Sequence, residues 1–355
     1  MLNCDPMQQN PAQPVTWFAL AAASPLVLFA AGAGVGGFWP LAALIYMAGL
    51  ALVLDVMIAH ATANAPDDTE FPAADALLVG LGLGHLAMLP LVVWAIAGPS
   101  GLTTTNRALL FAGAGLWMGQ VAHPAAHELI HRGNRWMGRL GVAVYASLLI
   151  GHHASAHRLV HHRHVASPQD PNTARAGEGF WRYLPRAWIG SFRAGLVAES
   201  ALRGGRGVHP YAVYVGGAVV SLAIGHALAG WAGVAVWAGL AAHAQLQLFL
   251  SDYVQHYGLA RAVQPDGRLE PVGVRHSWNA PHWFSARLML NAPRHSDHHA
   301  HPSRPYPALR LPEPEEAPHL PWPLPVACVL ALVPPLWRRR IRPHLARWKT
   351  PVAKA

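Results

Sequence analysis

Read for its hydrophobic and polar positions, the chain is a series of long apolar runs with few charges inside them. Six runs reach the roughly 20 residues that a helix needs to cross a bilayer: residues 16–36, 39–60, 74–98, 107–127, 211–230 and 231–256. The links after the first, third and fifth are very short and read as tight turns on one side. The other side receives the N-terminus, the acidic link Asp67–Glu70, an arginine-rich stretch between the fourth and fifth runs, and everything after the sixth. A shorter run, Trp322–Trp337, contains Pro334-Pro335 and ends in Arg338-Arg339-Arg340. It predicts an interfacial or re-entrant segment rather than a seventh span. Glycine runs such as Gly80-Leu81-Gly82-Leu83-Gly84 lie inside an apolar span with no strand before them. They fit close helix packing, not nucleotide binding. The pattern predicts an all-α polytopic membrane protein with six transmembrane helices and one integral-membrane domain over residues 1–355. Its polar segments fall at 128–210 and 257–320, with an interfacial segment over 321–355.

Composition strengthens this reading. Hydrophobic residues make up 53% and charged residues only 12%, about half the share usual in soluble domains. The formal charge of +9 is concentrated between Arg132 and Arg206 and between Arg338 and Lys354. Basic segments beside apolar spans mark the cytoplasmic side and do not describe a nucleic-acid binder. Cys4 and Cys328 are the two cysteines and form no C-x-x-C pair, which excludes a cysteine-ligated iron–sulfur or zinc site. An electron relay, if one is used, sits on another protein. No basic segment precedes the first apolar run, so no cleaved signal peptide is expected.

The 23 histidines add candidate chemistry, because imidazole is the commonest metal ligand. The first group is His127-Glu128-Leu129-Ile130-His131, whose histidines at i and i+4 share one helical face. The second is His157-x-x-x-His161-His162, with one pair at i and i+4 and the third ring turned about 100° away. The third is His295-Ser296-Asp297-His298-His299. The fourth is His256, where the sixth run leaves the membrane. All four groups emerge on the same predicted face. Nine converging ligands exceed what one zinc takes and suit two ions, although imidazole alone does not choose among iron, zinc, copper and nickel.

These strings resemble the alkane 1-monooxygenases, membrane di-iron hydroxylases related to the membrane fatty-acid desaturases. His127-Glu128-Leu129-Ile130-His131-Arg132 is similar to the family's first box, and His157 to Pro171 to its second, which closes on a run like Val165-Ala166-Ser167-Pro168-Gln169-Asp170-Pro171. Asp252 to Leu259 resembles its N-Y-x-E-H-Y-G-L segment, and Arg294-His295-Ser296-Asp297-His298-His299-Ala300-His301-Pro302 its last box. The resemblance runs from about Ala74 to Arg310. It implies two iron ions held by His127, His131, His157, His161, His162, His256, His295, His298 and His299. Glu128, Asp170, Asp252 and Asp297 would stand behind the ligands as hydrogen-bond acceptors. It implies O2-dependent hydroxylation of the terminal carbon of medium-chain alkanes or similar apolar chains drawn from the bilayer. Electrons would come from rubredoxin through an NAD(P)H-dependent rubredoxin reductase, at a bacterial inner membrane with the site on the cytoplasmic side. Three departures stand out. Ala156 and Gln255 replace the glutamates usual before His157 and His256, and Asp252 replaces an asparagine.

The same scaffold allows fatty-acid desaturation or hydroxylation of alkyl-aromatic or terpene methyl groups. An intramembrane zinc protease built on His127-Glu128-x-x-His131 and a metal transporter are more remote readings. The remaining histidines read as structural: His123, His152, His153, His164 and His301 beside the ligands, and His60, His85, His226 and His243 within or at the ends of spans. Asp55 needs a partner if buried, for which His60 and Arg107 are the candidates. The 14 tryptophans fit an interfacial belt.

Overall fold

The computed structural model describes residues 13–58, 63–66 and 69–348. Among these it is all-helical, with two isolated bridges and no strand. Four helices are long and apolar enough to cross a membrane: Val15–Gly34, Trp39–Met57, Ala74–Ala97 and Pro210–His256. The protein is an integral membrane protein by this measure.

Helix α1 (Gln13–Gly34) and α2 (Trp39–Met57) form a hairpin around Gly36 and Gly37, both with positive φ. Helix α3 (Ala74–Ala97) packs on α1. Helix α4 (residues 104–131) is capped by Thr103, whose hydroxyl accepts from the Asn106 amide. It runs through a π-turn at Met118–Ala122. Helix α5 (Arg135–Ser147) starts at Asn134, whose side chain accepts from the amides of Trp136 and Met137, and runs back along α3. A short helix α6 (residues 153–164), again with a π-turn at His157–His161, leads to α7 (Phe180–Arg203).

Helix α8 (Pro210–His256) has non-helical backbone at Ala229 and Gly230. The chain reverses there. Gly230 adopts φ 59° and ψ −149°, which is essentially accessible only to glycine. A side chain on Gly233 would run into the Gly225 carbonyl, so the two arms touch backbone to backbone. The apolar runs expected at 211–230 and 231–256 are these two arms. Short helices α9 (Trp283–Leu288) and α10 (His295–Ala300) follow.

The apolar stretch after Trp322 folds as two short helices, α11 (Leu324–Ala331) and α12 (Pro334–Ala346). Neither is long enough to span. Trp337, Ile341 and Leu345, one turn apart, are buried in the protein, with Trp337 against Tyr253 and Tyr257.

Asp55 is buried as expected, but among the described residues it meets backbone rather than Arg107. Its carboxylate accepts from the backbone amides of Phe284 (2.7 Å) and Ser285 (3.0 Å), capping α9. Two converging N–H groups at a helix start are a better match for a carboxylate than one long side chain. Arg107 instead donates to the carbonyls of Ile96, Gly98 and Leu102, tying off the α3–α4 turn. His60 and Cys4 lie outside the described residues.

Candidate metal centre

The nine histidines of the four groups meet at one end of the bundle and divide into two sets. His127, His131, His157, His162 and His298 form one; His161, His256, His295 and His299 form the other. Within each set the facing ring nitrogens all lie within 4.8 Å of one another.

The division follows from helix geometry. In α4, ordinary α spacing puts His127 and His131 on one face, in the same set. In α6 the π-turn widens the ring of backbone bonds, so alignment falls at i and i+5 rather than i+4. His157 therefore joins His162, and His161, between them, is aimed at the second set. In α10, His295 and His299 keep α spacing and share a set, and His298 reaches across to the other. The expectation that His157 pairs with His161, leaving His162 turned aside, is reversed by this one extra residue in the turn.

Nε2 is the atom presented inward. In the first set, His157 Nε2 lies 2.7 Å from His127 Nε2 and 2.9 Å from His162 Nε2. His298 Nε2 lies 3.1 Å from His162 Nε2, and His131 Nε2 is buried without a protein partner. In the second set, His295 Nε2 stands 3.0 Å from His256 Nε2 and 3.1 Å from His299 Nε2. His161 Nε2 is buried and unpartnered. Burial, with neighbouring rings adding to it, holds His157, His162, His295, His298 and His299 well below the ordinary imidazole range. They are neutral at physiological pH, with lone pairs available. Clustered buried lone pairs with no protein donor fit a first-row transition metal, and an all-nitrogen set does not suit Mg2+ or Ca2+. The clusters could bind metal.

The four carboxylates behind the rings differ in reach. Asp170 bonds His161 Nδ1 at 2.8 Å and also accepts from the Thr173 hydroxyl and the Asn172 amide. Burial opposes charge on both partners. Their mutual attraction overrides it, lowering the Asp170 carboxyl and raising His161. Glu128 lies 3.8 Å from His127 Nδ1 and accepts from the Tyr306 amide. Burial lifts it to about 7 against the pull of Arg132. Asp252 accepts from Asn172, one step from Asp170. Asp297 faces away from the rings, held by Arg304, His301 and the Arg310 amide. Gln255 bonds Ser251 and the Ala292 carbonyl, so it braces the segment before α10. Ala156 is buried against Gly195 of α7, whose missing side chain lets the two backbones approach closely.

His85 bonds the Ser147 hydroxyl at 2.9 Å, His243 stacks on Phe111, and His226 meets Trp231. A cavity runs from the first set between α4 and α8. Its walls include Gln120, His123, Gln247 and Ser251 beside the apolar Leu248, Met289, Leu290 and Cys328. The sequence reading does not single out Gln120, Gln247 or Met289, since no spacing marks them. The break at 118–122 that turns Gln120 inward leaves no signature in hydrophobic periodicity.

A helical membrane protein with two histidine clusters at one end of its bundle is the class that fold and site define. Residues 103–328 match the sequence model of the fatty acid desaturase family. Alkane 1-monooxygenase 1 of Pseudomonas aeruginosa is 30% identical over 87% of this chain and 83% of its own length. Alkane 1-monooxygenase 2 of Alcanivorax borkumensis is 30% identical over 90% and 87%. Alkane 1-monooxygenase of Ectopseudomonas oleovorans is 32% identical over 89% and 80%. The chain belongs to the alkane 1-monooxygenase family and is an oxidoreductase of that class.

Proposed function

We propose that the two histidine sets hold one iron ion each and that the protein hydroxylates the terminal carbon of medium-chain alkanes or similar apolar chains to primary alcohols. The observation that carries this reading is the five-and-four division of nine inward-facing Nε2 atoms. It matches two neighbouring ions with few protein ligands missing and no carboxylate bridge among the set. Iron, when bound, supplies O2 reduction and C–H oxidation. The stoichiometry is one substrate, one O2, two electrons and two protons, giving alcohol and water.

The chain's own residues do the rest. Asp170 takes the Nδ1 proton of His161 in a hydrogen bond and leaves Nε2 to face inward. Glu128 and Arg132 fix the start of the loop to Tyr306, closing the site from one side. Leu248, Met289 and Leu290 give the cavity an apolar wall that keeps water from the reacting carbon. Substrate reaches it from the bilayer between the spans. In this reading α4 and both arms of α8 cross the membrane along with α1, α2 and α3, making six spans of the bacterial inner membrane with the histidines on the cytoplasmic side. Rubredoxin is the electron donor, reduced by an NAD(P)H-dependent reductase.

The test is conversion of an alkane, fatty-acid and alkyl-aromatic panel by cells supplying rubredoxin and its reductase, under labelled O2. Label in a terminal alcohol from the alkanes is expected. An unlabelled alkene means desaturation, and one zinc per purified chain overturns the two-iron centre.

A further inference from the structure

Away from the histidines, α5 and the first arm of α8 enclose a groove of about 790 Å3. Its polar end holds Arg132, Arg135, Arg139, Arg158 and Arg203. Arg132 pairs with Asp75 at 3.1 Å and Arg203 with Glu199 at 3.3 Å. Among the described residues no carboxylate pairs with Arg135, Arg139 or Arg158, so the end of the groove carries uncompensated positive charge. The other end is lined by Val142, Ala143, Ala146, Val213 and Gly217. On α5, positions 135, 139, 142, 143 and 146 form one helical stripe, cationic at its start and apolar after it. Positions 210, 213 and 217 of α8 face it.

The depth of this stripe can be read from α3. At its start Arg132 meets Asp75, and at its end Ser147 meets His85 at 2.9 Å. Those two α3 residues are ten apart in sequence, a rise of about 15 Å, or half the hydrocarbon thickness of a bilayer. The groove thus starts at a charged surface and descends one leaflet. Around its charged end Trp136 and Val208 are exposed at 73% and 72%, and on its apolar wall Val213 is exposed at 53%. Arg139 lies over the Trp136 ring at 4.6 Å, an arrangement suited to the headgroup level.

We infer that this groove is a binding site for an anionic phospholipid, its phosphate held by Arg135, Arg139 and Arg158 and an acyl chain laid along Val142, Ala143, Ala146, Val213 and Gly217. Arginines that only set orientation need no cavity and no apolar continuation. A basic pocket between membrane helices does bind anionic headgroups, and guanidinium matches phosphate geometry.

The test uses the full chain purified in detergent, with native mass spectrometry to count retained lipid and thermal unfolding in nanodiscs of phosphatidylglycerol or phosphatidylcholine. One phosphatidylglycerol per chain is expected, with higher thermal stability than in phosphatidylcholine. The Arg135→Gln/Arg139→Gln variant should lose affinity by about 10-fold or more, each surface arginine being worth roughly fivefold. Ala143→Trp, which fills the groove and keeps every charge, should lose it too. Arg338→Gln/Arg339→Gln, at the other basic segment, should retain it. Both groove variants should match the parent in phosphatidylcholine, which separates lost binding from lost folding. Equal loss in the Arg338/Arg339 variant overturns the site in favour of general surface attraction. Equal protection by inorganic phosphate overturns the lipid in favour of a free anion. Intact lipid retention with weakened binding of an acidic donor protein overturns it in favour of donor docking.

Discussion

At His161 the orientation of one ring rests on one carboxylate. Asp170 is itself fixed by Thr173 and the Asn172 amide, so it cannot swing away when the ring is loaded. Asp170→Asn keeps the size and removes the charge. Losing such a partner typically costs a metal site 10- to 100-fold in affinity. Dialysis against a chelator, followed by iron analysis, should show that fall, and unchanged retention would remove Asp170 from the site. Ala156 makes the opposite point, that a departure from a familiar pattern is a packing fact. Its neighbour Gly195 on α7 has no side chain, and the backbones approach closely there. Ala156→Glu would force a carboxylate into this contact. Overpacking costs about 1–3 kcal/mol and burial of the charge adds to it. A clear drop in melting temperature is expected, and an unchanged one would mean that α7 yields.

At the scale of the element, the turn type decides which ions the rings can serve. The π-turn at His157–His161 is one residue longer than an α-turn and sends His161 to the second set. Inserting one alanine after Leu159 would place His162 six positions after His157, rotate it by about 100° and break the shared face with His157. Metal content should fall to less than half of the parent value, measured on folded protein with parent-like helical circular dichroism. Full retention would show that the turn is incidental. This is also where the sequence was least legible. The i, i+4 pairs at His127/His131 and His295/His299 could be read directly, because α spacing is the default. The assignment within His157-x-x-x-His161-His162 could not, since a π-turn is set by tertiary packing and not by residue type. Asp55 was legible as buried but not as the cap of α9, more than 200 positions away. The reversal at Ala229–Gly230 was legible, because glycine followed by a tryptophan divides two apolar runs of spanning length.

For the whole molecule, the question is whether the two sets act as one centre. They come from four separate stretches of chain, and α6 and α10 each contribute to both. A ligand removed from either set should therefore disable the same reaction. We expect His131→Ala and His299→Ala each to abolish product formation. The double variant should be no worse than either single, as happens when residues act as a unit. Metal analysis adds the second half of the test. Each single variant should lose part of the bound iron, and the double variant should lose most of it. A single-zinc site on His127 and His131 predicts something different. His299→Ala would then keep both metal and activity, and the effects of the two substitutions would be confined to the first. Independent ions predict a third outcome, in which each single variant keeps about half the rate and the losses multiply. The shared helices argue against that outcome: a shift of α6 that frees His161 from one set also moves His157 and His162 in the other.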